Sequence, residues 1–287
     1  MKKIKMLLAS IYYTIYFLLK NVFSINYKKN KNKIPIVVSL TTYSKRINTV
    51  FLTIESIFSQ SLSPQKIILW LSKDEYQLIP KSLKRLQTRG LEIRICDENI
   101  RSYKKLSYAS EFFDTSIIVT ADDDILYPKH WLKDLYTHSL MFDNTIICHR
   151  GHDIIISKNK IESYSSFMNN KIYSDTPSFL LIPTGCSGVL YPIGSLTIEA
   201  SYKNSPIFMK IAPDADDFWY KCVCLKNNMP AKRVKPVNTH FPPILTSLSD
   251  GLFHKNVRNN ENDKKLLSSI NYFDLYNMII NNSTQKK

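Results

Sequence analysis

From Ile34 to Ala121 the chain alternates between two hydrophobic periods, and this limits its possible folds more than any other feature. Ile34 to Leu40, Lys66 to Leu71, Leu91 to Cys96 and Thr115 to Ala121 are short apolar runs of strand character. Between the first two, Ile47 to Phe58 carries Ile47, Val50, Phe51, Ile54 and Phe58 on one face of a helix; Lys81 to Thr88 and Lys104 to Phe113 also read as helical. Strand and helix in turn predict an α/β chain whose mostly parallel sheet is covered by helices on both faces.

The fourth strand runs straight into Asp122, Asp123 and Asp124, within IIVTADDDILYP. Three adjacent carboxylates are costly unless something positive sits on them. Asp122 and Asp124, at alternate positions, can face one side, and hard divalent cations such as Mg²⁺ or Mn²⁺ take oxygen ligands of this kind. A solvated acidic turn capping the helix after Lys129 would use the same residues. Position favours a ligand site, because open α/β sheets bind at the carboxyl ends of their strands. The loop Thr41 to Arg46 leaves the first strand at that edge. Thr41, Thr42 and Ser44 can hydrogen-bond a base or ribose or cap a helix, and Arg46 can approach phosphate.

Lysine and arginine number 39 against 24 acids, a net charge of +15, so the surface attracts anions. Lys2, Lys3 and Lys5 precede an uncharged run, Met6 to Leu19, and Lys28, Lys29, Lys31 and Lys33 follow it. That is a membrane-flanking pattern, not a nucleic-acid face. The fourteen residues of that run span about 21 Å as a helix, against a hydrocarbon core of about 30 Å. A helix lying on the membrane, a tilted span through Ile25, and a helix packed on the domain all fit it. No small-residue cleavage site follows. Five cysteines without CxxC spacing signal neither a disulfide framework nor a zinc ribbon, and suit a reducing compartment. The six glycines form neither GxGxxG nor a phosphate-cradling P-loop.

Beyond Trp131 the alternation stops. Thr145 to Arg150 and Asp153 to Ser157 read as short strands, and Tyr164 to Tyr173 as a polar loop or lid. Gly185 and Gly188 mark a tight turn in PTGCSGVLYP before an apolar strand. APDADDFWY opens a helix through Cys222 and Leu225; Asp214, Asp216 and Asp217 could simply cap it, while Trp219 offers a flat face on which a sugar ring could rest. Residues 271–287 read as a polar, mobile tail.

Taken together, VVSLTTYSKRI, SIFSQSLSPQKIILWLS, RSYKKL, VTADDDILYPKHWL, PTGCSGVLYP, APDADDFWYK and NDKKL, in that order, resemble a bacterial glycosyltransferase of the GT-A fold, the DxD-containing, surface-polysaccharide type. The resemblance covers Ile34 to Leu266 and implies a Rossmann-like sheet, with residues 34–140 as the nucleotide-sugar half and 141–270 as the acceptor half. Residues 1–33 are the membrane-associating helix and linker. The implied donor is a nucleotide sugar, contacted by Thr41, Arg46, Lys105, Asp122 and Asp123. Mn²⁺ or Mg²⁺ would be held by Asp124, with Asp122 through water and a late histidine, His254. Asp217 is implied as the base that activates an acceptor hydroxyl, in an inverting reaction, with Asp216 and Trp219 binding the acceptor. Cys186 departs from the small residue more usual in the PTG turn. The basic, apolar N-terminus suggests an acceptor carried on lipid, and so an enzyme on the inner face of a bacterial cytoplasmic membrane, without nucleic acid as partner, in polysaccharide or lipopolysaccharide assembly.

Two other classes use some of the same residues. A sugar-phosphate nucleotidyltransferase would also place acids at a sheet edge, but its early glycine-rich basic loop is missing: no glycine precedes Gly90. A basic membrane-tethered binding protein accounts for the charge and the N-terminus and leaves both acid clusters unexplained.

Overall fold

The computed structural model describes residues 2–23, 33–170, 175–247 and 261–284. Its main sheet has seven strands in the order β11-β5-β10-β4-β1-β2-β3. The strands are β1 (Lys33–Thr41), β2 (Ser63–Leu71), β3 (Leu91–Ile95), β4 (Ile117–Ala121), β5 (Ile146–Cys148), β10 (Val189–Tyr191) and β11 (Ala231–Arg233). Two small antiparallel pairs flank it: β6 (Gly151–Asp153) with β9 (Leu181–Pro183), and β7 (Ile156–Ser157) with β8 (Lys160–Ile161). The expected parallel arrangement holds for β1 to β4 and for β5 with β11, while β10 runs antiparallel between β4 and β5. The β1/β2 register shifts between Ile34 and Val37. Pro35, which has no N–H to give to a ladder, falls in that shift.

The helices are α1 (Lys2–Val22), α2 (Val50–Phe58), α3 (Lys73–Gln77), α4 (Lys81–Gln87), α5 (Lys104–Phe112), α6 (Trp131–Met141), α7 (Tyr164–Asn169), α8 (Ser205–Ile211), α9 (Asp216–Lys226), α10 (Glu261–Tyr272) and α11 (Tyr276–Thr284). On one face of the sheet, Ile36, Val38, Leu40, Leu69 and Val119 pack against Ile54 and Ile57 of α2, Leu83 and Leu86 of α4 and Leu135 of α6. On the other, Val37, Ile68 and Ile118 pack against Leu106 of α5, Phe208 of α8 and Val223 of α9. A third cluster, with Phe167, Phe218, Leu266 and Ile279, joins α7 and α9 to the last two helices.

Four boundaries differ from the sequence reading. Ser44 to Asn48 form a 3₁₀ turn before α2, and Ser44 opens it at φ 49° instead of capping a helix. The stretch Asp153 to Ser157 splits between β6 and β7. Residues 164–169 form α7, which buries Phe167, so the start of the expected loop is a packed helix. The expected polar tail contains α11, whose Ile279 is buried.

Helix α1 is two-faced. Phe17 and Asn21 are buried against the domain, where Asn21 Oδ1 accepts from Arg85 Nε and Nη2 at 3.0 and 2.7 Å, and its Nδ2 donates to Glu55 at 3.0 Å. Glu55, itself fully buried, is also held by both Arg89 nitrogens at 2.7 and 2.9 Å. The opposite side leaves Ile4, Leu7, Leu8, Ile11, Tyr12, Ile15, Tyr16, Leu19 and Val22 exposed. Among the described residues no helix is long and apolar enough to cross a membrane; the tilted span through Ile25 extends outside the described residues.

Candidate active site

Sheet register brings the site together. Leu40 of β1 pairs with Ala121 of β4, so Thr41, Thr42 and the three aspartates leave the sheet side by side. Because β10 is antiparallel to β4, with Val189 opposite Thr120, its amino end lies at this same edge and delivers the turn Gly185 to Ser187 there. Strand β5 runs opposite to β10 and β11 runs with β5, so their carboxyl ends also open here.

The three aspartates have different surroundings. Asp123 turns back into the protein, accepting from Thr42 Oγ1 at 2.6 Å and Arg46 Nη1 at 2.8 Å, while its carbonyl accepts from Thr53. It braces the loop, buried with its carboxylate on Thr42 and Arg46. Asp124 lies 3.0 Å from Arg46, and its carbonyl accepts from Ile244 N. Burial, with Asp122 and Asp123 close by, pushes the Asp124 carboxyl up to about 6, against the pull of Arg46. Asp122 keeps part of its side chain open and lies 2.8 Å from Lys105 Nζ. Its backbone N–H donates to the hydroxyl of Tyr127, which stacks on Trp131 with centroids 4.1 Å apart.

Lys105 joins the two acid clusters. Its Nζ also lies 3.3 Å from Asp216, and Asp122, Asp216 and Asp217 together outweigh burial and hold its pKa well above the ordinary value. The neighbouring Lys104 points elsewhere, into a buried pair with Glu75 at 2.8 Å that fixes the start of α5. From below, Ser39 donates to the Lys105 carbonyl and receives a bond from Trp70 Nε1 at 2.8 Å. Thr41 donates its hydroxyl to the Trp70 carbonyl, at 2.8 Å.

The second cluster comes from α9. Tyr103 stacks on Phe208 and donates to the Ala212 carbonyl, and Tyr220 donates to the Tyr103 carbonyl, so α5 and the start of α9 are tied together. Asp216 is buried on Ser102 Oγ at 2.9 Å and lies 3.3 Å from Lys105, which it positions. Asp217 is only partly buried. Burial and the adjacent Asp216 push its carboxyl up to about 7, partly offset by Lys105. Trp219 is fully buried among Phe208, Tyr272 and Phe273, with its indole N–H on the Glu199 carbonyl, so it offers no face to a sugar. Arg101 pairs with Asp214 on the surface.

The turn between the clusters admits no side chain at Gly188, which lies at φ 90° with an added Cβ 2.6 Å from Trp131. Trp131 Nε1 holds the Ser187 carbonyl at 2.9 Å. The sequence reading missed Tyr127 and Trp131 as supports, although their place in the acidic block was the available signal.

Asp122, Asp123, Asp124, Asp216 and Asp217 surround two cations, Arg46 and Lys105, so the cleft carries excess negative charge. Asp122 and Asp124 could hold a hard divalent ion through oxygen, with water and phosphate completing its shell, as Mg²⁺ sites commonly do. No group of three or more histidine, cysteine or acidic ligands is preassembled among the described residues, and His254 lies outside them.

No protein-family model matches the chain, and neither does any curated protein. Among solved structures it is similar to the mannosyltransferase PcManGT from Pyrobaculum calidifontis in complex with GDP-Man and Mn²⁺, at 12% identity and a TM-score of 0.47, covering 98% of this chain and 84% of that one. It is also similar to S. aureus TarS, at 14% identity and a TM-score of 0.43, covering 85% of this chain and 74% of that one. At those identities and scores, neither likeness bears on what this chain does.

Proposed function

We propose that the protein is a metal-dependent glycosyltransferase that moves a sugar from a nucleotide-sugar donor to a glycan or lipid-linked hydroxyl acceptor, with inversion. The observation that carries this reading is Lys105, bridging Asp122 at 2.8 Å and Asp216 at 3.3 Å, with Asp217 beside it in α9. That arrangement sets a pair of carboxylates for a cation opposite a separate carboxylate whose pKa, about 7, suits a general base. Asp217 receives the proton of the attacking hydroxyl, which is otherwise a poor nucleophile. Lys105 and Arg46 counter charge on the donor's phosphates, and Tyr127 holds the Asp122 backbone in place. Asp124 and Asp122 would hold Mn²⁺ or Mg²⁺, which would supply charge neutralisation for the departing nucleoside diphosphate.

The experiment is a panel of nucleotide sugars incubated with the purified protein, with and without Mn²⁺. Metal-dependent release of nucleoside diphosphate supports the reading. Release of pyrophosphate instead would point to a nucleotidyltransferase, and absence of any metal-dependent nucleotide binding would leave only a binding protein.

The same reading places the enzyme on the inner face of a cytoplasmic membrane, seated through α1. Its bare apolar side, Ile4 to Val22, has Lys3 and Lys5 at its amino end and is followed in sequence by a basic block, the pattern of a helix lying in an anionic lipid interface. Surface polysaccharide or lipopolysaccharide assembly is the context that such a seat suits.

A further inference from the structure

Arg150 leaves β5 at the active-site edge, and one end of its guanidinium is fixed. Nη1 donates to Thr184 Oγ1 at 2.8 Å and lies 3.4 Å from Cys186 Sγ, while the Arg150 carbonyl accepts from Thr184 N at 3.0 Å. The other edge of the fork is idle: Nε is buried without a partner. Arg46, Arg89, Arg94, Arg101 and Arg233 each hold a carboxylate. Arg150 holds none among the described residues, in a cleft crowded with acids.

Two imidazoles share its surroundings. His152, in β6, is buried with Nε2 unpartnered. His240 is exposed and follows Thr239, whose N–H is held by the His149 carbonyl at 3.0 Å and whose carbonyl accepts from Ser187 at 2.8 Å. Burial and the Arg150 charge hold His240 below its usual range, and burial, Arg150, Arg233 and His240 push His152 down to about 3. Both rings therefore stand neutral beside a positive charge that makes no ion pair among the described residues. Thr184 and Cys186 flank Gly185, whose N–H holds Asp217, so this charge sits next to the proposed base.

We propose that Arg150, with His152 and His240, forms a subsite for an oxyanion, a phosphate or carboxylate group carried by the acceptor. A two-oxygen anion matches the free Nε–Nη2 edge of a guanidinium, and satisfies a buried donor that is costly to leave unpaired. The acceptor, and not the donor, is the assigned carrier because Arg150 is tied to the turn that carries Asp217, whereas Arg46 and Lys105 already serve the Asp122 to Asp124 side. The identity of the carrier rests on the glycosyl-transfer reading; the anion site does not.

The test titrates full-length protein, saturated with nucleoside diphosphate and Mn²⁺, with glycerol phosphate and glucuronate against glycerol and glucose. A parallel titration uses the protein alone with inorganic phosphate. The anions should bind at least ~10-fold tighter than their neutral counterparts and shift the Arg150 Nε–H resonance, identified by its loss in Arg150→Lys. Arg150→Gln and Arg150→Lys should lose that preference with nucleoside diphosphate affinity within about twofold of wild type. His240→Ala, at an exposed position, should weaken anion binding severalfold without loss of fold. Equal binding of charged and neutral probes, or a preference that survives in Arg150→Lys and His240→Ala, overturns the proposal. Competition of nucleoside diphosphate with the anions for the same resonance also overturns it, by assigning the guanidinium to the donor. Failure to bind nucleoside diphosphate at all would sink glycosyl transfer while leaving the phosphate titration of the protein alone to decide the subsite.

Discussion

The backbone N–H of Gly185 donates to both carboxylate oxygens of Asp217, at 3.1 and 3.3 Å. A Cβ on Gly185 would sit 2.7 Å from Lys105 Nζ and 3.4 Å from Asp217 Oδ1. The lysine end can swing aside, so Gly185→Ala should fold, with a stability loss of about 1–3 kcal/mol. It would have to leave Asp122 to do so. Turnover should fall at least ~10-fold, measured as nucleoside diphosphate release beside a urea melt; full activity would show that the Lys105 bridge is dispensable.

Asp217→Asn should keep donor affinity within about twofold and lower turnover by about 10²- to 10⁴-fold, the usual worth of a general base. Stability provides a second, independent readout. The folded carboxyl titrates near 7, above its ordinary value, so the folded state holds a proton that the unfolded chain has already released, and stability drains away as pH rises from about 4 to 7. At pH 8 the asparagine variant should therefore be the more stable by ~2–4 kcal/mol, and the gap should close near pH 4. A gap independent of pH would show that burial does not raise this carboxyl.

Asp124→Asn should abolish metal-dependent nucleoside diphosphate binding, because it removes an anionic ligand. In the wild type the Asp124 carboxyl must be ionised to hold a cation, and its pKa stands at about 6. Mn²⁺ affinity should thus be flat above pH 7 and fall by up to ~10-fold per pH unit below 6, as followed by calorimetry. Pairing with a metal lowers that pKa in turn, so the pH at which half the sites lose their Mn²⁺ should move lower as Mn²⁺ concentration rises. Metal binding that is unchanged in the variant would remove Asp124 as a ligand.

Leu8→Glu combined with Ile15→Glu places charges on two well-exposed apolar positions of α1 while leaving Phe17 and Asn21 in their seats. Flotation with anionic vesicles should lose most of the bound protein, whereas neutral vesicles should bind little of either form. Donor hydrolysis in solution should be unaffected. Equal flotation of both forms would exclude α1 as the lipid-facing element.

The parallel half of the sheet and its helices were legible because their periodicities switch cleanly between Ile34 and Ala121. Lys105 was singled out from Lys104 in RSYKKL by the resemblance alone; the physical reason is the helix phase, which sends one to Glu75 and the other to Asp122. In the triplet the alternation that sets Asp122 and Asp124 on one side was legible, and it turns Asp123 inward to Thr42. Trp219 misled because an aromatic beside an acid pair reads alike whether it faces a cleft or, as here, the core under α10. Three residues of β10 are too few to announce an antiparallel insertion, yet that reversal carries Gly185 to the acids. Arg150 left no mark, since a lone arginine after a strand has no pattern until its neighbours are placed.

Helix α1 has the composition of a segment that a biochemist would trim to gain solubility. Such trimming would take Asn21 away from Arg85 and Glu55, pull Phe17 from the core, and open a charged seam above α2 and α4. The first helix is a wall of the domain as well as an exposed apolar face, and mild detergent is the better route to a well-behaved preparation.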